Sequence, residues 1–188
     1  MRVAYVSGLG TVWGTYPPDI LDREDAGTVA GGEAAMLETA FGLARRGHSV
    51  QVYFPGGEAQ YHDVDFAPLD GRAYMSIGSG EFDAVVSWSD VGASLVAPSS
   101  TVNVFSQQLN HMPFNPIFWA SVDAIVSPSN THARYLASQA QGEWSQHCRW
   151  ASMGAGVRPE RYIGAGPAEA RRHVVSYWSS PDRGLHHL

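Results

Sequence analysis

Lysine is absent from this 188-residue sequence, and cysteine occurs once, at Cys148. All 12 basic residues are arginine, so we expect any anion recognition to use guanidinium groups or backbone amides. A lone cysteine cannot close an internal disulfide, and no second cysteine is present to form a CxxC zinc motif. The sequence indicates neither an oxidised scaffold nor a structural metal, and we expect Cys148 to be a small buried residue.

Long apolar runs and clusters of positive charge are also missing. No stretch approaches the roughly 18 consecutive apolar residues that a membrane span requires, and the opening segment MRVAYVSGLG is too short for a secretory signal. We therefore expect a cytoplasmic protein. The formal net charge is -6 and the arginines are scattered, which argues against nucleic acid as a partner.

Short apolar runs alternate with amphipathic segments along the chain, and 44% hydrophobic with 16% charged residues is typical of a globular protein. We predict strands at residues 2–7, 48–54, 72–77, 83–88, 101–105, 123–127 and 149–153, and helices at residues 33–46, 114–120 and 130–141. This alternation predicts an α/β fold, with a Rossmann-like, doubly wound and mostly parallel sheet that has helices on both faces. Ligands of such sheets bind beyond the carboxyl ends of the strands.

The pattern changes after Met153. A glycine-rich turn and the segment AGPAEARR have the composition of a linker, and residues 173–178 form another strand-like run before a helix start at 185–188. We therefore expect an N-terminal domain over residues 1–165, followed over residues 166–188 by a linker and the beginning of a second domain. The remainder of that domain is expected in cis or in a separate chain.

Gly31 and Gly32 stand at the entry of the amphipathic helix that follows the first strand. Free backbone amides and the positive end of the helix dipole favour a diphosphate there, and glycine allows the phosphate to approach. A helix entry at which glycine merely permits the turn is the alternative. A dinucleotide fingerprint fits poorly, because Trp13 occupies the third glycine position and no helix can begin across Pro17 and Pro18.

Polar and aromatic residues gather in the loops after two later strands. Trp88 and Asp90 follow one strand, and Gln107, Asn110 and His111 follow another. Aromatic faces combined with amide and carboxylate groups suit a polyhydroxylated ligand, although a structural role is the more frequent one for any single residue of this kind. The eight histidines form no metal-binding signature, and a GxSxG nucleophile elbow is absent.

Four segments, taken in order, resemble the retaining family-four glycosyltransferases of two-domain GT-B architecture, and the likeness runs along nearly the whole chain. They are TVAGGEAAMLETAFGLARRGHSVQVY at 28–53, SVDAIVSPSNTHARYL at 121–136, GVRPERY at 156–162 and SSPDRGLHHL at 179–188. The third resembles the family's turn before the interdomain linker, and the fourth resembles the segment that opens the second domain. The resemblance implies that this chain is the N-terminal half of a GT-B enzyme.

The family's site residues map onto this chain one by one. The resemblance implies that Gly31 and Gly32 contact the donor diphosphate and that Arg183, which precedes a glycine, grips the phosphates. A second arginine often stands five residues earlier in the family, where this chain has Trp178. A family histidine approaches the donor sugar, and the candidates for that catalytic role are Gln107 and His111. The candidates for binding the acceptor are Glu33, Trp88, Asp90 and Asn110.

The implied reaction is transfer of a sugar from a nucleoside diphosphate sugar to an acceptor with retention of configuration, and no other cofactor is implied. The family places two glutamates separated by seven residues in the second domain, and no two glutamates of this chain have that spacing. We therefore expect this chain alone to be inactive. Two alternatives stay open: a noncatalytic sugar-binding or nucleotide-binding module of a split protein, and another Rossmann-type nucleotide-sugar enzyme.

Overall fold

The structure is a computed structural model, and it describes residues 1–8, 18–22, 31–88, 90–107, 116–140 and 147–154. All of these residues belong to one unit, Met1–Ala155. The domain boundary predicted after residue 165 lies outside the described residues, as do the strand and helix start predicted at 173–178 and 185–188. No described helix combines the length and the apolar character that crossing a membrane requires.

Eight strands form one sheet in the order β3-β4-β2-β1-β5-β6-β7-β8. They are β1 (Arg2–Ser7), β2 (Ser49–Phe54), β3 (Ala59–Tyr61), β4 (Val64–Pro68), β5 (Ala84–Trp88), β6 (Val102–Ser106), β7 (Ala124–Ser127) and β8 (Arg149–Ser152). Every neighbouring pair is parallel except β3 and β4, which form an antiparallel hairpin. The predicted fold class is therefore confirmed: the chain has a Rossmann-like, mostly parallel α/β fold.

Five α-helices and one short 3-10 helix, Ile20–Asp22, lie within the described ranges. The α-helices are α1 (Gly31–Arg45), α2 (Gly71–Gly78), α3 (Val91–Val96), α4 (Pro116–Ser121) and α5 (Asn130–Gln139). Helix α1 packs on one face of the sheet, which we call the α1 face. There Tyr5 of β1 and Val52 of β2 share a buried cluster with Met36 and Phe41 of α1.

The other four α-helices cover the opposite face, which we call the α5 face. Ala4 of β1 packs there with Ile77 of α2. The register of the sheet aligns Ser87 of β5 with Phe105 of β6, and Phe105 with Ile125 of β7, so these side chains share that face. Phe105 and Ile125 pack against α4 and α5 in a third buried cluster, which includes Cys148 as expected. The sheet is thus doubly wound.

The strand predicted at residues 72–77 is wrong, because this segment lies within helix α2. The Asp70 side chain caps the helix by accepting hydrogen bonds from the backbone N–H groups of Arg72 and Ala73. Ala73 and Ile77 are buried four residues apart, which is helical spacing, and Met75 between them is exposed. The apolar alternation in RAYMSI was therefore a misleading strand signal.

Candidate functional site

The order of the strands reverses direction at β1. The chain continues from β1 to β2 on one side and later returns to β5 on the other, so β1 and β5 flank the topological switch point. Ser7 and Trp88, the last residues of these strands, are aligned with each other. Open α/β sheets bind their ligands in the crevice beyond such a point. The carboxyl ends of β1 and β5 are therefore the first place to look for a site.

Helix α1 begins at this same edge of the sheet. After α1 the chain turns at Gly47, whose φ of 82° suits glycine, and β2 then starts at Ser49 beside Arg2. The helix consequently runs from the carboxyl edge back to the amino edge, which places Gly31 and Gly32 at the carboxyl edge. The first N–H groups of a helix have no intrahelical acceptor, and the helix dipole adds partial positive charge there.

Three buried polar atoms at this edge have no hydrogen-bond partner in the described structure: Ser7 Oγ, Glu33 Oε1 and Trp88 Nε1. Ser7 and Trp88 are fully buried, and Glu33 is only 3% exposed. A buried polar group left unpaired costs about 1–3 kcal/mol, so native proteins pair nearly all of them. Such a cluster is typical of a place that a ligand or an ordered water completes.

The three side chains lie on the α1 face. Ser7 is two residues beyond Tyr5, whose ring lies 6.4 Å from that of Trp88 between centroids. Glu33 precedes the buried Met36 by one helical turn, which directs it toward the same face. Glu33 Oε1 accepts hydrogen bonds, the Trp88 indole donates, and the Ser7 hydroxyl does both. This set suits a hydroxyl-bearing ligand better than a purely anionic one.

Trp88 does not have the open ring face expected of a stacking platform. Its side chain is fully buried in the cluster formed by α1 and the sheet, and only its indole N–H is left without a partner in the described structure. Its burial favours a packing role for the ring. The predicted acceptor contact of Trp88 stays a prediction, and it would involve the N–H group rather than the aromatic face.

Asp90 has both carboxylate oxygens engaged. Oδ1 accepts a hydrogen bond of 2.9 Å from the Ala93 amide at the start of α3, and Oδ2 accepts one of 2.9 Å from the Tyr74 hydroxyl. Burial and the Asp90 charge together raise the pKa of Tyr74 to about 12. A Cβ on Gly8 would stand 3.1 Å from Asp90 Cβ, so glycine permits the close approach of β1. These contacts give Asp90 a structural role, and its acceptor role stays a prediction.

Of the four remaining predicted site residues, the structure describes only Gln107. Gln107 is buried, and its amide donates to the Val126 carbonyl, which continues the pairing of β6 with β7. It follows Ser106, which is aligned with Trp88, so its side chain points toward the α5 face. The structure therefore does not bring Gln107 together with Glu33. Asn110, His111 and Arg183 lie outside the described residues.

No protein-family model and no curated protein sequence matches this chain. The fold and the geometry of the switch point are therefore the only indications of function in the described residues. Sequence reasoning identified Gly31, Gly32 and Glu33 there but missed Ser7. The one available signal was a small polar residue at the last position of a buried strand, and that signal is too common to be specific.

Proposed function

We propose that this chain is the acceptor-side half of a retaining glycosyltransferase that uses a nucleoside diphosphate sugar. The observation that carries the proposal is the set of three buried polar atoms without a partner in the described structure, in Ser7, Glu33 and Trp88, on the α1 face at the carboxyl edge where α1 begins. One region there suits phosphate and the adjacent one suits hydroxyl groups. A nucleoside diphosphate sugar and a hydroxyl acceptor together present both chemistries.

The phosphate and the hydroxyl groups would occupy separate subsites. A phosphate beside the buried Glu33 carboxyl would place two sets of acceptor oxygens together, and two like charges about 4 Å apart cost about 4 kcal/mol at an effective dielectric constant near 20. The attraction between an anion and the N-terminus of a helix stabilises by only about 0.3–1 kcal/mol, and by up to about 2 kcal/mol in favourable geometry. The diphosphate therefore lies outward, on the amides of Gly31 and Gly32. The inner groups of Glu33, Ser7 and Trp88 bind a hydroxyl of the acceptor or of the sugar.

A titration of uridine, guanosine and adenosine diphosphate sugars tests the proposal, with amide chemical shifts and calorimetry as readouts. We compare Gly32→Ala with the matched control Gly42→Ala in the same helix. Alanine at Gly42 meets only the Arg45 and Arg46 side chains, at 3.7 Å or more. Each substitution raises helix propensity by up to about 1 kcal/mol. Only Gly32→Ala is expected to weaken binding, by about tenfold.

Equal affinities for the two variants would contradict phosphate binding at this helix start. Tight binding of a free nucleotide or a dinucleotide, undiminished by Gly32→Ala, would favour a different Rossmann-type enzyme. Nucleotide-sugar binding without sugar transfer, even after a second Rossmann domain is supplied, would favour a noncatalytic module.

A further inference from the structure

A second pair of unpaired polar atoms lies at the same edge of the sheet, three strands away from β1. Ser127 Oγ and His132 Nε2 are buried and have no hydrogen-bond partner in the described structure. Ser127 is the last residue of β7 and is fully buried. His132 is in the first turn of α5. Neither residue takes part in the site proposed above.

Both residues lie on the faces of β7 and α5 that pack against each other. Ile125 of β7 and Leu136 of α5 pack in one buried cluster. Ser127 lies two residues beyond Ile125, and His132 lies one helical turn before Leu136, so each continues that contact toward the carboxyl edge. This contact is on the α5 face, whereas Ser7, Glu33 and Trp88 are on the α1 face. The two sets of groups are therefore distinct.

The start of α5 contributes further donors. The Ser129 hydroxyl caps the helix by accepting a 3.1 Å hydrogen bond from the His132 amide. The amides of Asn130 and Thr131 precede it, and the geometry of a helix gives them no intrahelical acceptor. The Ser152 hydroxyl at the end of β8 donates to Asn130 Oδ1, which fixes the start of α5 against the sheet.

The charge of the β7–α5 segment favours an anion. Residues 124–140 contain no aspartate or glutamate, and their one arginine is Arg134. The positive end of the ten-residue α5 lies here as well. A neutral hydroxyl ligand would gain little from this field, whereas a phosphate group gains from the field and offers several acceptor oxygens.

We propose that Ser127, His132 and the first amides of α5 form a binding site for a phosphate group. The Ser127 hydroxyl, the His132 imidazole N–H and the amides of Asn130 and Thr131 each donate to a phosphate oxygen. This proposal does not depend on the transferase function. The group is either free phosphate or a phosphate monoester, since both present the same oxygens.

Titration of the isotope-labelled chain with inorganic phosphate, and in parallel with glycerol phosphate, tests this site at constant ionic strength. The amide signals of residues 130–132 and the imidazole signals of His132 are expected to shift saturably. Ser127→Ala and His132→Leu should each weaken binding by about tenfold, the usual result of losing one hydrogen bond to a charged group. Ser138→Ala, at the exposed far end of α5, is the matched control and should bind like the unaltered chain.

Tighter binding of glycerol phosphate would identify a monoester as the ligand, and equal binding would identify the free ion.

Urea denaturation with and without phosphate tests the same site when binding is too weak to titrate. Without phosphate, Ser127→Ala should unfold at the same or a higher urea concentration, because it removes an unpaired buried hydroxyl. With phosphate, the unaltered chain should be stabilised and Ser127→Ala should not. The proposal is overturned if phosphate stabilises both proteins equally or binds neither. A crystal structure with phosphate in which a lone water still bridges Ser127 and His132 would also overturn it.

Discussion

The proposed role of Glu33 requires a buried carboxyl group, which costs stability in the absence of a ligand. The Glu33 carboxyl group is buried in the first turn of α1, and Oε1 has no hydrogen-bond partner in the described part of the chain. A residue kept for packing alone would not be a carboxylic acid at this position. The arrangement is typical of functional sites, where binding requires groups that the empty protein leaves unpaired.

We predict that Glu33→Met stabilises the ligand-free chain and abolishes sugar binding. Methionine keeps the length and the helix propensity of glutamate but removes the buried oxygen Oε1 that has no partner in the described structure, so the free energy of unfolding should rise by about 1–3 kcal/mol. Urea denaturation and a nucleotide-sugar titration measure the two effects. Glu38→Met in the same helix is the control and should leave sugar binding unchanged. A loss of stability in Glu33→Met would refute the functional interpretation of this residue.

Tyr74 makes the stability of the protein sensitive to alkaline pH. Burial, together with the neighbouring Asp90 charge, raises its pKa from 10.0 to about 12 in the folded chain. The folded state therefore holds the phenol proton more tightly than the unfolded state does. The resulting stability is present in full below pH 10 and is lost as the pH rises from 10 toward 12.

Tyr74→Phe is expected to make the free energy of unfolding less dependent on pH between pH 10 and pH 12. Urea midpoints measured at intervals between pH 9 and pH 12 should fall less steeply for the variant than for the unaltered chain. Burial also raises the pKa of Tyr5, and that contribution remains in both proteins as an internal reference. Curves that stay parallel over this range would show that Tyr74 titrates alike in the folded and unfolded states.

The β3–β4 hairpin turns through two residues that have positive φ values although neither of them is glycine. His62 and Asp63 have φ values of 49° and 58°, as a two-residue type I′ turn requires. His62 Nε2 lies 2.8 Å from Asp22 Oδ2, and its ring lies 4.9 Å from the Phe41 ring between centroids. These contacts hold the turn in place despite the positive φ values.

We predict opposite effects for two substitutions at Asp63. Asp63→Gly should raise the free energy of unfolding by about 0.5–1 kcal/mol, because glycine adopts a positive φ without steric cost. Asp63→Ala should lower it by a similar amount, since alanine tolerates this conformation less well than aspartate does. Thermal and urea denaturation measure both variants. Equal stabilities would mean that the turn relaxes when Asp63 is replaced.

Short elements also show where sequence reasoning fails. Strands β1, β2, β5, β6, β7 and β8 were predicted to within one residue at each end. Buried parallel strands such as β1 are mostly apolar runs, whereas the border strand β8 is mostly exposed and was predicted from a short run alone. Helix α2 was mistaken for a strand, since its eight residues give an ambiguous periodicity and the decisive signal is the Asp70 cap. The hairpin β3–β4 was missed because His62 and Asp63 lack the usual turn chemistry.

At the scale of the whole molecule, the alternation of strands and helices was sufficient to predict the fold class, whereas the sites were only partly predictable. The glycine pair and Glu33 were placed correctly at the start of the first long helix, because the apolar residues that follow them recur at helical spacing, while their binding roles stay predictions. Ser7 and Ser127 were not identified, since a buried serine becomes informative only when the fold shows that nothing pairs with it. Such a residue reports on tertiary contacts, which one sequence does not reveal.

We predict that the 188-residue chain by itself transfers no sugar at an appreciable rate. A single Rossmann-like half supplies neither charge stabilisation on both sides of the diphosphate nor exclusion of water from the reacting sugar. Release of nucleoside diphosphate from uridine, guanosine and adenosine diphosphate sugars, with and without simple hydroxyl acceptors, measures this directly. Acceptor-dependent turnover by the chain alone would refute the prediction.

The shortness of the two border strands has a consequence for how copies of this protein meet. β3 has three residues and β8 has four, so each border of the sheet exposes only a few backbone N–H and C=O groups. A strand from another molecule would find too small a template to extend the sheet. Within the described sheet, backbone pairing between border strands is therefore a weak route to contact between copies, even though the central strands β1 and β2 are mostly buried.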